Sequence, residues 1–222
     1  MNKHNNSCWY EIFALSTLQV VFPLEFRNLR LSDRPDLMDF DSNFGVEVVH
    51  PVDEKHEMFN SYYYNHLFGK TIDQISPKGL EKFKSNSYDI VFDSQDNTVS
   101  SYKSPYKPFD IQFVFCAIDK KMEKLNANLY ECSSNISLFL EMAMYSSEIA
   151  DYSVAKRILS YVKTIEQNYS LSYKEIFFDC IMKLYRIDIK NEKIIEIDTF
   201  ELIDSIQLKY EEIKIKEGWE QL

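Results

Sequence analysis

The chain has 222 residues, of which 25 are Lys or Arg and 35 are Asp or Glu, so its formal net charge is −10. This acidic balance argues against a surface that is basic throughout, although it leaves room for a local basic cleft. Four scattered cysteines without a Cys-x-x-Cys pair favour buried, reduced thiols over disulfides or a zinc site. No run of residues is long and apolar enough to span a bilayer.

A chain of this length can bury a sizeable core. We expect one α/β domain over residues 1–222, with residues 199–222 as a candidate C-terminal helical appendage. The start of the chain, residues 1–6, is polar and lacks the apolar core of a signal peptide. We therefore expect a cytoplasmic protein that does not contact membranes, and we leave its oligomeric state open.

The first predicted elements are a helix and a hairpin. Apolar residues at near-helical spacing predict a helix from Trp9 to Arg27, which Pro23 should end or kink. Residues 34–49 predict a β-hairpin, because residues 41–43 are Asp-Ser-Asn and favour a turn, and residues 45–49 form a β-branched run. A carboxylate inside such a run is costly unless it is paired, solvated or bound to a cation.

That carboxylate belongs to Glu47, and Asp36 lies eleven positions before it. A short turn would place the two on adjacent strands, where residues opposite each other point to the same face. Two carboxylates close together suit a hard divalent cation, which takes oxygen ligands and keeps several waters. A cation held in this way can activate water and bind phosphate.

Helices and strands alternate along the rest of the chain. Helices are predicted from Asp53 to about Phe68, Ser76 to about Ser85, Phe109 through Leu125, Ser146 to Asn168, and Phe200 to near Trp219. Strands are predicted at Tyr88–Phe92, Asn135–Met144, Ile176–Tyr185 and Lys193–Thr199, with a polar loop over Gln95–Lys107. This order predicts a central mixed β-sheet with helices on both faces.

The acid after Pro35, the hairpin and the Gly-hydrophobic-Glu-hydrophobic run at 45–48 resemble the core of the PD-(D/E)xK nuclease superfamily. The resemblance implies a restriction-endonuclease-like fold in which Asp36 and Glu47 hold Mg²⁺ or Mn²⁺. It also implies a Lys two residues after the Glu, where this chain has Val49. The expected function is therefore a metal-dependent nuclease that hydrolyses phosphodiester bonds of nucleic acid, in a variant that lacks the strand Lys.

Superfamily members often move this Lys to a neighbouring helix. Lys121 and Lys124 are the candidates here, since they lie three positions apart on one helix face. Members also often carry an acid on the helix before the hairpin, directed at the metal, and Glu11 is the candidate for this third ligand. His50 lies one position past the Lys position, and strand alternation directs it to the opposite face.

Each of these residues also has a purely structural explanation. The hairpin can be a solvated acidic one, Glu11 can favour the start of a helix through the helix dipole, and the lysines can solvate a helix exterior. A basic group at Arg27, Arg30 and Arg34 can face phosphates or simply be solvated. The alternative function is a non-catalytic phage- or defence-associated interaction protein on a degenerate nuclease fold, which the acidic balance and Val49 favour.

Overall fold

The computed structural model describes residues 9–51, 54–103, 110–130, 132, 135–142, 151–180 and 182–218, without the side chains of residues 54–57 and 82. The chain divides into two compact units, Met1–Pro51 with Phe109–Leu222, and Val52–Pro108. This division is finer than the single domain over 1–222 expected from the sequence.

The first unit contains most of the regular structure. Its helices are α1 (Trp9–Val21), α4 (Gln112–Asn126), α5 (Tyr152–Ile165) and α6 (Ile203–Lys216), and the second unit supplies α2 (Glu54–His66) and α3 (Pro77–Lys84). Its strands are β1 (Arg30–Leu31), β2 (Leu37–Asp39), β3 (Phe44–Val49), β6 (Ile136–Glu141), β7 (Glu175–Asp179), β8 (Lys183–Asp188) and β9 (Lys193–Asp198).

Within the described residues, these seven strands form one mixed sheet in the order β1-β2-β3-β6-β7-β8-β9. Strands β3, β6 and β7 run parallel, whereas the β1-β2-β3 and β7-β8-β9 neighbours pair antiparallel. Every residue of β6 is buried, as expected for a central strand covered on both faces. The predicted α/β class with a central mixed sheet is confirmed.

Helices cover both faces of the sheet. On one face, α4 and α5 pack on alternate strand residues such as Met38, Leu138 and Leu140. On the other face, α1 and α6 pack on the intervening residues, including Leu37 and Val46. Because α6 packs on α1 within the first unit, the described part of the expected appendage at 199–222 belongs to the core of that unit.

The second unit has its own aromatic core. It contains a hairpin of β4 (Asp89–Phe92) and β5 (Val99–Lys103), and its buried residues include Phe59, Phe83 and Tyr88. Ser76 caps α3 by accepting a hydrogen bond from the Gly79 N–H at 3.1 Å, as the Ser-Pro sequence predicts.

Two predicted elements were wrong. The polar loop expected over Gln95–Lys107 contains strand β5, because buried Val99 anchors a segment whose other side chains are largely exposed. The single strand expected over Ile176–Tyr185 is the hairpin β7-β8, closed by the Cys180 N–H donating to the Lys183 carbonyl at 2.9 Å. Both strands are largely buried, so their sequence is one continuous apolar run in which the turn cannot be recognised.

Other boundaries moved by a few residues. Helix α1 ends at Val21, before Pro23, instead of continuing to Arg27, and α5 begins at Tyr152, where Asp151 caps it. The predicted residues 104–107, 146–150 and Trp219 lie outside the described residues. Of the cysteines, Cys132 and Cys180 are buried as expected, whereas Cys116 is exposed. None of the described helices combines the length and apolarity needed to cross a membrane.

Candidate active site

The antiparallel pairing of β2 with β3 sets the position of the two predicted acids. Leu37 pairs with Val46 and Met38 with Gly45, so Asp36 lies opposite Glu47 one step further along the same register. Gly45 is required at its position, because a Cβ there would overlap the Pro35 ring and the Cys132 sulfur. The glycine thus lets the residue before Asp36 pack directly onto β3.

Asp36 and Glu47 lie on the face of the sheet that α4 covers. Leu37, Val46 and Val48 pack in the core on the α1 face, so by alternation their neighbours Asp36 and Glu47 point the other way. The Val48 N–H donates to Asp36 Oδ2 at 2.8 Å, which holds the aspartate against β3. The prediction that one face carries both acids is confirmed by this register.

Burial and the nearby Glu47 carboxylate both affect the ionisation of Asp36. Glu47 is 5% exposed, so its charge is poorly screened by solvent. Burial, followed by the negative charge of Glu47, raises the pKa of Asp36 to about 7, although the Lys121 charge and the Val48 N–H oppose the rise. Burial of a carboxyl group next to a second carboxyl group disfavours the charged form in two ways, and such perturbed groups are concentrated at functional sites.

Lys121 of α4 reaches this pair from 74 positions away. Its Nζ donates to Glu47 Oε1 in a short ion pair and to the Val48 carbonyl at 3.1 Å. The lysine side chain is 14% exposed and that of Glu47 is 6% exposed, so the ion pair is largely desolvated. An ammonium group therefore stands beside the acid pair although the strand position at Val49 carries no lysine.

Two tyrosines complete the surroundings of the acid pair, and neither was predicted from the sequence. The Tyr173 hydroxyl donates to the Lys121 carbonyl at 3.0 Å and so fixes the turn of α4 that carries the lysine. The Tyr130 hydroxyl is buried beside Glu47 and Tyr173, but neither contact has the geometry of a full hydrogen bond. Burial, followed by the charge of Glu47, raises the pKa of Tyr130, so this hydroxyl stays protonated and can donate.

The other two predicted site residues are placed differently. Lys124 is exposed and makes no ion pair with the described residues, so the structure brings Lys121 and not Lys124 to the acids. Glu11 lies in the first turn of α1, and its negative charge contributes to raising the pKa of Asp36. Among the described residues, no three His, Cys, Asp or Glu side chains form a group that could hold a metal ion.

Within the part of the chain that the structure describes, a divalent cation would therefore depend on Asp36 and Glu47, with water filling the remaining positions. This donor set suits Mg²⁺ or Mn²⁺, because Mg²⁺ is commonly held through one or two carboxylates and keeps several waters. The Tyr130 hydroxyl, buried next to Glu47 without a full hydrogen bond, needs a partner that such a water would supply. These features fit a hard cation at the acid pair.

His50 lies on the opposite face, as strand alternation predicts. Its Nδ1 is 2.5 Å from Glu141 Oε2 and 3.0 Å from the Glu141 carbonyl, and its ring stacks on Tyr10 with centroids 4.3 Å apart. The histidine therefore belongs to the contact of α1 with the end of β6. It does not replace the missing strand lysine.

Comparison of the chain with protein-family models, curated proteins and solved structures finds no match. The geometry of the acid pair and its lysine is therefore the main indication of what the protein does.

Proposed function

We propose that this protein is a metal-dependent nuclease-like enzyme of the PD-(D/E)xK superfamily, which hydrolyses phosphodiester bonds of nucleic acid. The observation that carries the proposal is the contact of Lys121 with Glu47 beside Asp36. The resemblance in the sequence implies a lysine at the acid pair, and the strand position has lost it. In such a variant, a neighbouring helix is expected to supply the lysine instead.

The arrangement of elements around the site supports the same proposal. Helix α1 precedes the antiparallel β1-β2-β3 unit that carries both acids, and α4 leads into β6, which pairs parallel with β3. A restriction-endonuclease-like fold implies this arrangement. In it, a helix precedes the hairpin that carries the acids, and a second helix supplies the lysine. Fold alone does not define an activity, so the proposal relies on the site.

The chain's own residues have distinct roles in this proposal. Bound at Asp36 and Glu47, Mg²⁺ or Mn²⁺ would supply Lewis acidity and lower the pKa of a bound water. Asp36 must lose its proton to act as a ligand, so its pKa of about 7 makes the site most competent above neutral pH. Lys121 holds positive charge where the scissile phosphate would develop negative charge, and the Tyr130 hydroxyl can donate a hydrogen bond there.

One observation favours the alternative, a non-catalytic interaction protein on the same fold. The ion pair of Lys121 with Glu47 satisfies both groups without any cation. A buried pair of this kind can serve as a structural element that fixes α4 on the sheet. The two functions differ in whether a divalent cation can compete for Glu47.

A nuclease assay with divalent-metal titration distinguishes them. Single-stranded DNA, duplex DNA and RNA are incubated with wild-type protein and with the variants Glu47→Gln, Lys121→Met and Lys124→Met. We expect cleavage that requires Mg²⁺ or Mn²⁺ and falls at least about 100-fold in the first two variants. The Lys124→Met variant is the matched control and should retain wild-type activity, because its side chain is exposed away from the acids.

Cleavage by none of the four proteins, or metal-independent behaviour that Glu47→Gln does not change, would contradict the enzymatic proposal. Far-UV circular dichroism of each variant establishes that a lost activity reflects the site and not unfolding.

A further inference from the structure

The ammonium group of Lys121 is held by two oxygen atoms of β3. It donates to Glu47 Oε1 in the short ion pair and to the Val48 carbonyl at 3.1 Å. The N–H of the same valine donates to Asp36 Oδ2 at 2.8 Å. Because the N–H and C=O of one strand residue point to the same edge of the strand, the ammonium group lies on the side of β3 that Asp36 occupies.

The same ammonium group acts on both acids. It is paired with Glu47, and its positive charge lowers the pKa of Asp36, against the larger effects of burial and of the Glu47 charge. The side chains of the pair are 14% and 6% exposed, so solvent screens these interactions poorly. Lys121 thus neutralises part of the negative charge that a cation at this site would need.

A divalent cation bound at the acid pair would meet the charge of Lys121. Two cations in one poorly solvated site repel each other, and at a given distance a doubly charged ion is repelled twice as strongly as a proton. A lysine side chain can relieve this repulsion, because its four-carbon stem is flexible and its ammonium group is strongly hydrated. The side chain of Lys121 is partly exposed, so a movement of its ammonium group toward solvent does not require α4 to shift.

We propose that Lys121 is a tethered counter-ion that competes with the divalent cation for Glu47, and that cation binding releases its ammonium group from this carboxylate. The inference rests on the proposed metal site and adds a form of regulation to it. At low metal concentration the lysine blocks Glu47. Cation binding frees the ammonium group for the substrate phosphate, so the two positive charges are used together only when metal is bound.

Calorimetric titration of Mn²⁺ at about pH 8 tests the competition, at a pH where Asp36 is largely ionised. Wild-type protein is compared with Lys121→Met, which removes the charge, and with Lys121→Arg, which keeps it. Lys124→Met is the matched control, because Lys124 is exposed and makes no ion pair with the described residues.

We expect the Mn²⁺ dissociation constant to fall at least about tenfold in Lys121→Met, because the repulsion is lost. Loss of the lysine also favours the proton on Asp36, but the proton carries half the charge of Mn²⁺, so a net tightening remains. Lys121→Arg should bind no more tightly than wild type, and Lys124→Met should equal it. Tighter metal binding by a variant that has lost cleavage is not expected of a lysine with a merely structural role.

Labelling of the wild-type protein tests the release and does not depend on the folding of any variant. Lysines are acetylated with acetic anhydride with and without saturating Mg²⁺, and the rate at each lysine is measured by mass spectrometry. Lys121 should react slowly without metal, because it is ion-paired and largely buried, and faster with Mg²⁺. Lys124 is the internal control and should react equally under both conditions.

Equal Mn²⁺ affinity of wild type and Lys121→Met would overturn the competition while leaving the proposed metal site intact. Slow labelling of Lys121 that saturating Mg²⁺ does not change would overturn the release in the same way. Binding of Mn²⁺ by none of the four proteins would instead remove the proposed metal site, and this inference with it.

Discussion

Substitution of Asp36 by Asn removes a carboxyl group whose ionisation the site opposes. In the native protein burial and the charge of Glu47 raise the pKa of Asp36 from 3.8 to about 7. Asn keeps an oxygen that can accept the Val48 N–H, so the substitution removes the charge with little change in shape. The expected effect is therefore a change in stability that depends on pH.

The direction of the change in stability follows from how tightly the native and the unfolded states bind the proton of Asp36. Because the native Asp36 binds its proton more tightly than the unfolded one, the wild-type free energy of unfolding falls as the pH rises from about 4 to about 7. A pKa raised by this amount corresponds to a loss of up to about 4 kcal/mol at alkaline pH, reduced by the partial exposure of the side chain. Asn has no such titration and avoids the loss.

Urea denaturation followed by circular dichroism between about pH 4.5 and pH 8.5 measures this effect. We expect the stability of Asp36→Asn relative to wild type to increase with pH across this range, and the variant to be more stable by about 1–4 kcal/mol at the alkaline end. Asp33→Asn is the matched control, because Asp33 is exposed and should change stability by less than about 0.5 kcal/mol at every pH. A variant that is less stable than wild type at pH 8 would refute the reasoning.

Three further predictions concern the same site. Thermal stabilisation by Mg²⁺ should weaken up to about tenfold in apparent affinity per pH unit below about pH 7, since the proton on Asp36 competes with the cation; a pH-independent affinity would contradict this. Lys121→Met should destabilise the protein by about 2–3 kcal/mol in urea denaturation, because it leaves the charge of Glu47 buried and unpaired, whereas Lys124→Met should change stability by less than about 0.5 kcal/mol. Gly45→Ala should cost about 1–3 kcal/mol by the same measurement, because its Cβ would overlap the Pro35 ring, and a neutral result would show that the hairpin can shift.

The acid pair was predictable from the sequence because its geometry is local. Residues 36 and 47 are separated by one short turn, and alternation along two adjacent strands determines which face each occupies. The opposite orientation of His50 follows from the same alternation, and its contact with Glu141 on β6 agrees with it. Such inferences need no knowledge of the remaining fold.

The choice between the two lysines needed the packing of α4. On a helix with 100° per residue, Lys121 lies about 60° from buried Ile118 and Lys124 about 120° from it. Lys121 is thus at the edge of the buried stripe, within reach of the sheet, whereas Lys124 faces solvent. The sequence placed both on one face, and only the tertiary contact separates them.

Tyr130 and Tyr173 could not be predicted because nothing near them in the sequence marks their role. Tyr130 precedes strand β6 and Tyr173 precedes strand β7. They lie near the acid pair and Lys121 only in the folded chain, where strands that are distant in sequence pair with each other. Strand β5 was missed for a similar reason. Its pairing with β4 and the burial of Val99 are tertiary contacts that override a polar local sequence.

The proposed function requires that Asp36 and Glu47 together bind one divalent cation. Electron paramagnetic resonance of a Mn²⁺ titration at pH 8 measures this directly, because bound and free Mn²⁺ give different spectra. Wild-type protein should bind one Mn²⁺ per chain, and the Asp36→Asn/Glu47→Gln double variant should bind none under the same conditions. Equal binding by the two proteins, or no binding by wild type, would contradict the claim.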